Sequence, residues 1–244
     1  MLFLHPAFGD CGVWDTQWQT FAPTFSLVRC DLPGFGRTPI EHPTVTLAGE
    51  VANLLDELEL GACAVVGNSL GGRVALELAV GRPELVRALV LVGTLLPGVR
   101  EQSAALKMYN EALRRALEAA DLEQAVEMSV AMWLAEDAGA SLRERAGGMQ
   151  RRAFELQLPW GDDLTEEHLV PAVQERLHDV GVPTLVVVGD QDVEDVRRYA
   201  RMLTSAIPGA ESAVIEGAAH VPSLDRPREF DAAVLPFLER VLLV

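Results

Sequence analysis

The sequence predicts an α/β fold, a doubly wound and mostly parallel sheet of about six strands with an inserted helical lid. Three observations predict it. Short apolar runs recur without polar alternation, the pattern of strands buried on both faces of a parallel sheet. Helical patterns separate these runs. From about residue 97 to residue 181 the β-rich runs stop, and Ala, Leu, Glu and Arg recur at helical spacing.

Taken in order, residues 2–5 and 26–31 read as the first two strands. Thr46 is placed to cap a helix over 47–58, with Glu50 close to the capping-box spacing. Residues 63–67 form the next strand, followed by a helix over 70–80 and a strand over 88–93. Leu106, Met108, Leu113 and Leu117 then mark helical periodicity, broken at Gly147–Gly148 and at residues 158–161. After Pro183 the α/β pattern returns: a strand over 184–188, a helix over 194–207, a strand over 212–216 and a helix over 227–242. The expected organisation is a core of residues 1–96 and 182–244, with a lid of residues 97–181.

The 244 residues, nearly half hydrophobic, suffice for one core without disulfides or metal. A net charge of −16 repels nucleic acid and anionic membrane, so neither is an expected partner. Cys11, Cys30 and Cys63 show no metal-binding spacing and fit free thiols in a reducing cytoplasm. There is no signal-peptide pattern and no apolar stretch near the roughly 20 residues a membrane helix needs. The expectation is a cytoplasmic protein acting on a small-molecule acyl substrate, with no metal and no organic cofactor.

The strongest chemical motif is Gly67–Gly72 (GNSLGG). It matches G-x-S-x-G and lies between a predicted strand and a predicted helix, the context the pattern requires. The sharp turn lifts the Ser69 hydroxyl above the strand end, at a helix N-terminus that favours negative charge. A serine hydroxyl needs a base. Of five histidines, His220 follows the last predicted strand and is the candidate. His5 ends the first strand and reads as structural, while His42, His168 and His178 read as solvated. The base needs a carboxylate to fix its tautomer. Asp190 and Asp192 both follow a strand, and Asp192, further into the loop, is favoured, leaving Asp190 as a turn former. For the oxyanion, the donors are the backbone N–H of Leu70 and one from residues 5–10. Pro6 has none, so Ala7 is the first choice and Phe8 the second.

The chain resembles the α/β-hydrolase superfamily, serine hydrolase branch, on several separated motifs. His5–Asp10 (HPAFGD) is similar to H-G-x-x-G-D, with Trp14 behind it. Asp31–Arg37 (DLPGFGR) is similar to D-x-P-G-x-G-x-S. Gly189–Asp192 matches G-x-x-D, which supports Asp192, and Gly217–His220 with Pro222 and Pro227 matches G-x-x-H-x-P…P. Two departures stand out. Pro6 replaces the usual Gly, and the chain starts at what is normally the third strand, so the family's N-terminal hairpin is expected to be missing. The edge this leaves would be covered by the lid, by the partner of a homodimer or by nothing.

Ser69 excludes the Asp-nucleophile branches. Asn68 is shared with carbon–carbon bond hydrolases of the meta-cleavage type, but those carry Trp after the catalytic His and here Val221 follows. The resemblance therefore implies an esterase or enol-lactonase-like enzyme first. A carbon–carbon bond hydrolase and a non-catalytic ligand-binding member of the fold are the alternatives. Phe8, Met108, Met128, Met132, Trp133 and Trp160 are candidates to line an apolar substrate pocket. Arg73 is a candidate either for a substrate carboxylate or for a structural ion pair.

Overall fold

Alternate residues of each central strand enter separate hydrophobic clusters, so both faces of the sheet are buried. Leu2 and Leu4 pack on one side and Phe3 on the other; Val65 faces one way and Ala64 and Val66 the other; Leu89 and Leu91 oppose Ala88, Val90 and Val92. This is why the strands read as continuous apolar runs. The computed structural model describes residues 1–96 and 102–243. In chain order its strands and α-helices are β1 (Leu2–Leu4), α1 (Asp15–Phe21), β2 (Val28–Cys30), β3 (Thr44–Val45), α2 (Leu47–Glu57), β4 (Cys63–Asn68), α3 (Leu70–Gly81) and β5 (Val86–Val92). Then come α4 (Ala104–Glu118), α5 (Leu122–Trp133), α6 (Ala140–Gln157), β6 (Thr165–Glu166), β7 (Thr184–Gly189), α7 (Glu194–Ala206), β8 (Glu211–Ile215), α8 (Pro222–Asp225) and α9 (Pro227–Leu242).

Six strands form one parallel sheet in the order β2-β1-β4-β5-β7-β8. From β1 the chain moves outward to β2, then returns to place β4 on the other side of β1. The loops leaving β1 and β4 therefore diverge, and a crevice opens between them at the C-terminal edge. Helices α2, α3 and α7 contribute to the cluster on one face, α1 and α9 to the cluster on the other.

Some details differ from the sequence reading. Thr46 stands at the N-cap of α2, but its side chain makes no capping bond. Side-chain caps occur instead at Ser103, which accepts from Leu106 N–H at 3.2 Å, and at Asp121, which accepts from Gln124 N–H at 3.0 Å. The stretch expected to be wholly helical holds β6, which pairs in parallel with β3. Two-residue strands are too short to show a period. The start of the expected lid, residues 97–101, lies outside the described residues. Near its expected end, Val170, Val173, Leu177 and Val180 are buried in the same cluster as α2 and α3. Across α4–α6, Ala116, Val126, Val130, Leu134 and Phe154 cluster with Phe8 and Val221 of the core loops, while Met149 and Ala153 of α6 reach the clusters on the two sheet faces.

Arg73 belongs to a structural ion-pair network. Its guanidinium donates to Glu77 at 2.7 Å and to Glu166 at 2.5 Å. Glu77 also accepts from the backbone N–H of Leu169 at 2.9 Å and lies 3.0 Å from His168 Nδ1. His168 is therefore part of this network rather than a freely solvated side chain. Removing one member of a buried charge network strands the others. Glu77→Ala should lower stability by about 3 kcal/mol, the low end of the usual cost because Glu166 still holds Arg73. A urea-derived unfolding free energy that falls by less than about 1 kcal/mol would contradict this account.

Candidate active site

Asn68 ends β4, Leu70 begins α3, and Ser69 between them takes φ 54° and ψ −109°. This is a region a non-glycine residue enters only when its surroundings force it. The forcing is visible in the neighbours. A Cβ on Gly67 would collide with the Gly71 carbonyl, and one on Gly71 would collide with the Leu4 carbonyl on β1. The Ser69 N–H donates to Val92 O at 2.7 Å and the Gly71 N–H to His5 O at 3.1 Å, tying the turn to β5 and to the loop after β1. As the first residue of α3, Leu70 has an N–H without an intrahelical acceptor.

His220 and Asp192 come from the loops after β8 and β7. Both are buried, and His220 Nδ1 lies 2.9 Å from Asp192 Oδ2. The other carboxylate oxygen accepts from Val193 N–H at 2.8 Å. With Nδ1–H donated to Asp192, Nε2 is left free as a proton acceptor. Asp190 makes a different bond: its Oδ1 accepts from Gly217 N–H at 2.7 Å and braces the turn before His220.

The loops are held in register by backbone and amide bonds. Asn68 donates both amide hydrogens, to Val92 O at 2.9 Å and His220 O at 3.1 Å. That pairing fixes its orientation and joins the Ser69 turn to the histidine loop. His220 N–H donates to Trp133 O at 3.2 Å, and the Trp133 and His220 rings lie 4.5 Å apart. Asp225 accepts from Ala135 N–H at 3.1 Å and from Ala219 N–H at 2.9 Å, and Arg226 pairs with Asp137 at 2.7 Å. The α5–α6 connection is thus fastened to the segment that carries His220.

Ser69, His220, Ala7 and Phe8 line one cavity of 220 Å³. The N–H groups of Ala7 and Phe8 meet no protein acceptor among the described residues. His5 is buried behind them. Its Nε2 accepts from Leu32 N–H at 2.9 Å, and its Nδ1 lies 2.8 Å from Pro6 O, so the ring is neutral and braces the loop. The thiols are unreactive in character. Burial, with Asp31 adding to it, pushes Cys11 up to about 12, and burial pushes Cys30 up to about 11. Asp10, Cys11 and Asp31 are close enough to share an ion. Their carboxylates, however, already serve the backbone N–H groups of Cys11, Gly12 and Arg37.

A family model described as the alpha/beta hydrolase family matches residues 1–233. The chain belongs to the alpha/beta hydrolase family. It is similar to a pimeloyl-(acyl-carrier protein) methyl ester esterase of Yersinia pseudotuberculosis, 28% identical over 98% of this chain and 93% of the relative. Its fold is similar to that of an esterase of Thermogutta terrifontis, with a TM-score of 0.77 at 22% identity over 98% of this chain and 89% of the other. It is likewise similar to that of an enol-lactonase of Burkholderia xenovorans, with a TM-score of 0.78 at 20% identity over 97% and 90%.

In this alpha/beta hydrolase the helical layer supplies other residues to the cavity than the Met and Trp pattern suggests. Of the six candidates, Phe8 and Trp133 line it. Met108 is 72% exposed. Met132 lines a separate 500 Å³ pocket beside Arg143. Met128 and Trp160 are half-buried away from the cavity. Tyr109, Leu113, Gln150, Phe154 and Gln157 take their places. Their signal was i, i+4 and i+7 spacing within α4 and α6; Met108 and Met132 are each one residue, about 100° of helix, off the facing stripe.

Burial lowers the pKa of His5, with the Pro6 carbonyl, Asp31 and Asp10 acting in the opposite direction. Below about pH 6.5 the unfolded chain binds a proton that the native state refuses. The stability contributed by His5 is therefore complete above that pH and is lost as pH falls toward the lowered native value. Thermal midpoints should decline as the pH falls below about 6.5, with a shallower decline in His5→Gln. Equal slopes in the two proteins would remove His5 from the account.

Proposed function

We propose that the protein is a serine hydrolase that cleaves a carboxylic ester or lactone through an acyl-enzyme. The observation carrying this reading is the conjunction of a strained, cavity-facing Ser69 with the buried His220–Asp192 pair lining the same 220 Å³ space. His220 Nε2 takes the Ser69 proton as Oγ attacks the carbonyl carbon. The Leu70 N–H and an N–H of the Ala7–Phe8 loop, Ala7 first, hold the oxyanion. His220 then protonates the departing alcohol or enolate, and the acyl group remains on Ser69. Water enters, gives its proton to His220, and releases the acid.

Asp192 orients the imidazole and stabilises its charged form, and Asp190 has no part in the chemistry. Helices α4–α6 act as a cap: Trp133 stacks beside His220 while Tyr109, Leu113 and Phe154 close the apolar side of the cavity. No helix among the described residues is long and apolar enough to cross a membrane. The three free thiols fit a cytoplasmic enzyme. A carboxylic ester or lactone is favoured over a carbon–carbon bond because the similar Yersinia protein and the two similarly folded proteins are named as ester- or lactone-cleaving enzymes.

Ser69→Ala should lower kcat for p-nitrophenyl butyrate on the order of 10⁶-fold and abolish labelling by a fluorophosphonate probe. Asp192→Asn should fold normally and lose on the order of 10⁴-fold in kcat, whereas Asp190→Asn should keep most of its activity. A Ser69→Ala protein with full esterase activity overturns the assignment. An unlabelled, inactive wild-type protein would favour a ligand-binding role instead.

A further inference from the structure

Resting on the serine-hydrolase reading, we infer that Gln150 is a specificity residue for a compact, neutral acyl group bearing an oxygen substituent. Gln150 lies on α6, is only 6% exposed, and lines the cavity that holds Ser69 and His220. Its amide forms no hydrogen bond with any described residue. The side chain is buried as a whole while its amide atoms keep access to solvent in the cavity, so both donors and the acceptor are open to water or a ligand.

The other polar side chains of the cap wall are more fully used: Tyr109 and Trp133 have spent their hydrogens and Gln157 one of its two. Ser129 Oγ donates to Ala125 O at 2.8 Å, so Tyr109 must donate its own hydroxyl hydrogen to Ser129 at 3.0 Å. Trp133 Nε1–H donates to Tyr109 Oη at 3.0 Å. Gln157 donates to Gly34 O at 3.0 Å. Both amide hydrogens and the carbonyl oxygen of Gln150 thus remain for a ligand.

The rest of the lining sets the ligand's character. Phe8, Phe35, Leu95, Leu113 and Phe154 make the wall apolar, and no Lys or Arg is among the described residues lining it. A substrate carboxylate would meet no countercharge there and would lose its hydration. The volume of 220 Å³ is below the roughly 300–1,000 Å³ typical of sites for drug-sized ligands. The acyl half stays bound to Ser69 after the alcohol departs, so the wall acts chiefly on that half. A fully unpaired amide in a largely apolar wall selects an acyl chain with a hydroxyl or keto oxygen.

The test compares p-nitrophenyl butyrate, 3-hydroxybutyrate and 4-oxopentanoate with the mono-p-nitrophenyl ester of glutaric acid, on wild type and on Gln150→Met, which keeps length and helix propensity. Wild type should prefer at least one oxygenated ester over butyrate, and the carboxylate ester should be the poorest. Gln150→Met should lose about tenfold in kcat/KM on the preferred oxygenated ester while holding or gaining on butyrate. Its thermal midpoint should match wild type and Ser69 should still be labelled by the fluorophosphonate probe, which separates a specificity role from a folding defect. Equal losses on all esters, no change in the ratio, or preference for the carboxylate ester overturns the inference and leaves the hydrolase reading intact. Wild-type inactivity on every ester together with absent labelling overturns both.

Discussion

The close approach of backbone to backbone at the C-terminal edge of the sheet is the constraint on which the site depends. Gly67 must meet Gly71 and Gly71 must meet β1 with no side chain between them. The same holds on the other side, where a Cβ on Gly189 would collide with the carbonyls of Ala218 and Ala219 in the histidine loop. These contacts set how near three loops can come. Ser69 is held at positive φ because α3 packs directly against β1, and the hydrogen bonds of Ser69 and Gly71 to Val92 and His5 keep it there.

Strand order supplies the space that this crowding would otherwise close. The change of winding direction between β1 and β4 separates the Ala7–Phe8 loop from the Ser69 turn just above the sheet. The candidate oxyanion donors thereby flank one crevice although they are about 60 residues apart in sequence.

The helical layer is coupled to the histidine loop by polar bonds as well as by apolar packing. His220 bonds the Trp133 carbonyl, Asp225 bridges Ala135 and Ala219, and Arg226 holds Asp137. Burial raises the Asp225 pKa, against the two N–H donors that favour its charge. A shift of α5 would therefore act directly on the position of His220. In the same layer, Trp133 donates to Tyr109 and Tyr109 to Ser129, which stiffens the cavity wall beside the imidazole.

The sequence by itself determined the parallel sheet, because strands buried on two faces must be apolar at every position. It also marked the strained turn that carries Ser69, because Gly spacing around a strand–helix turn records a local steric demand. The choice of Asp192 over Asp190 rested on loop position and motif, and the structure adds a distinct bond for each. What the sequence left open is long-range. The partners that complete the Arg73–Glu77 pair, Glu166 and His168, lie more than 90 residues away. Which helix faces meet Ser69 depends on how α4–α6 rotate as they dock. Helical periodicity identifies a stripe but carries no information about its partner, so Met108 and Met132 read as well as Tyr109 and Gln150 until the tertiary structure oriented them.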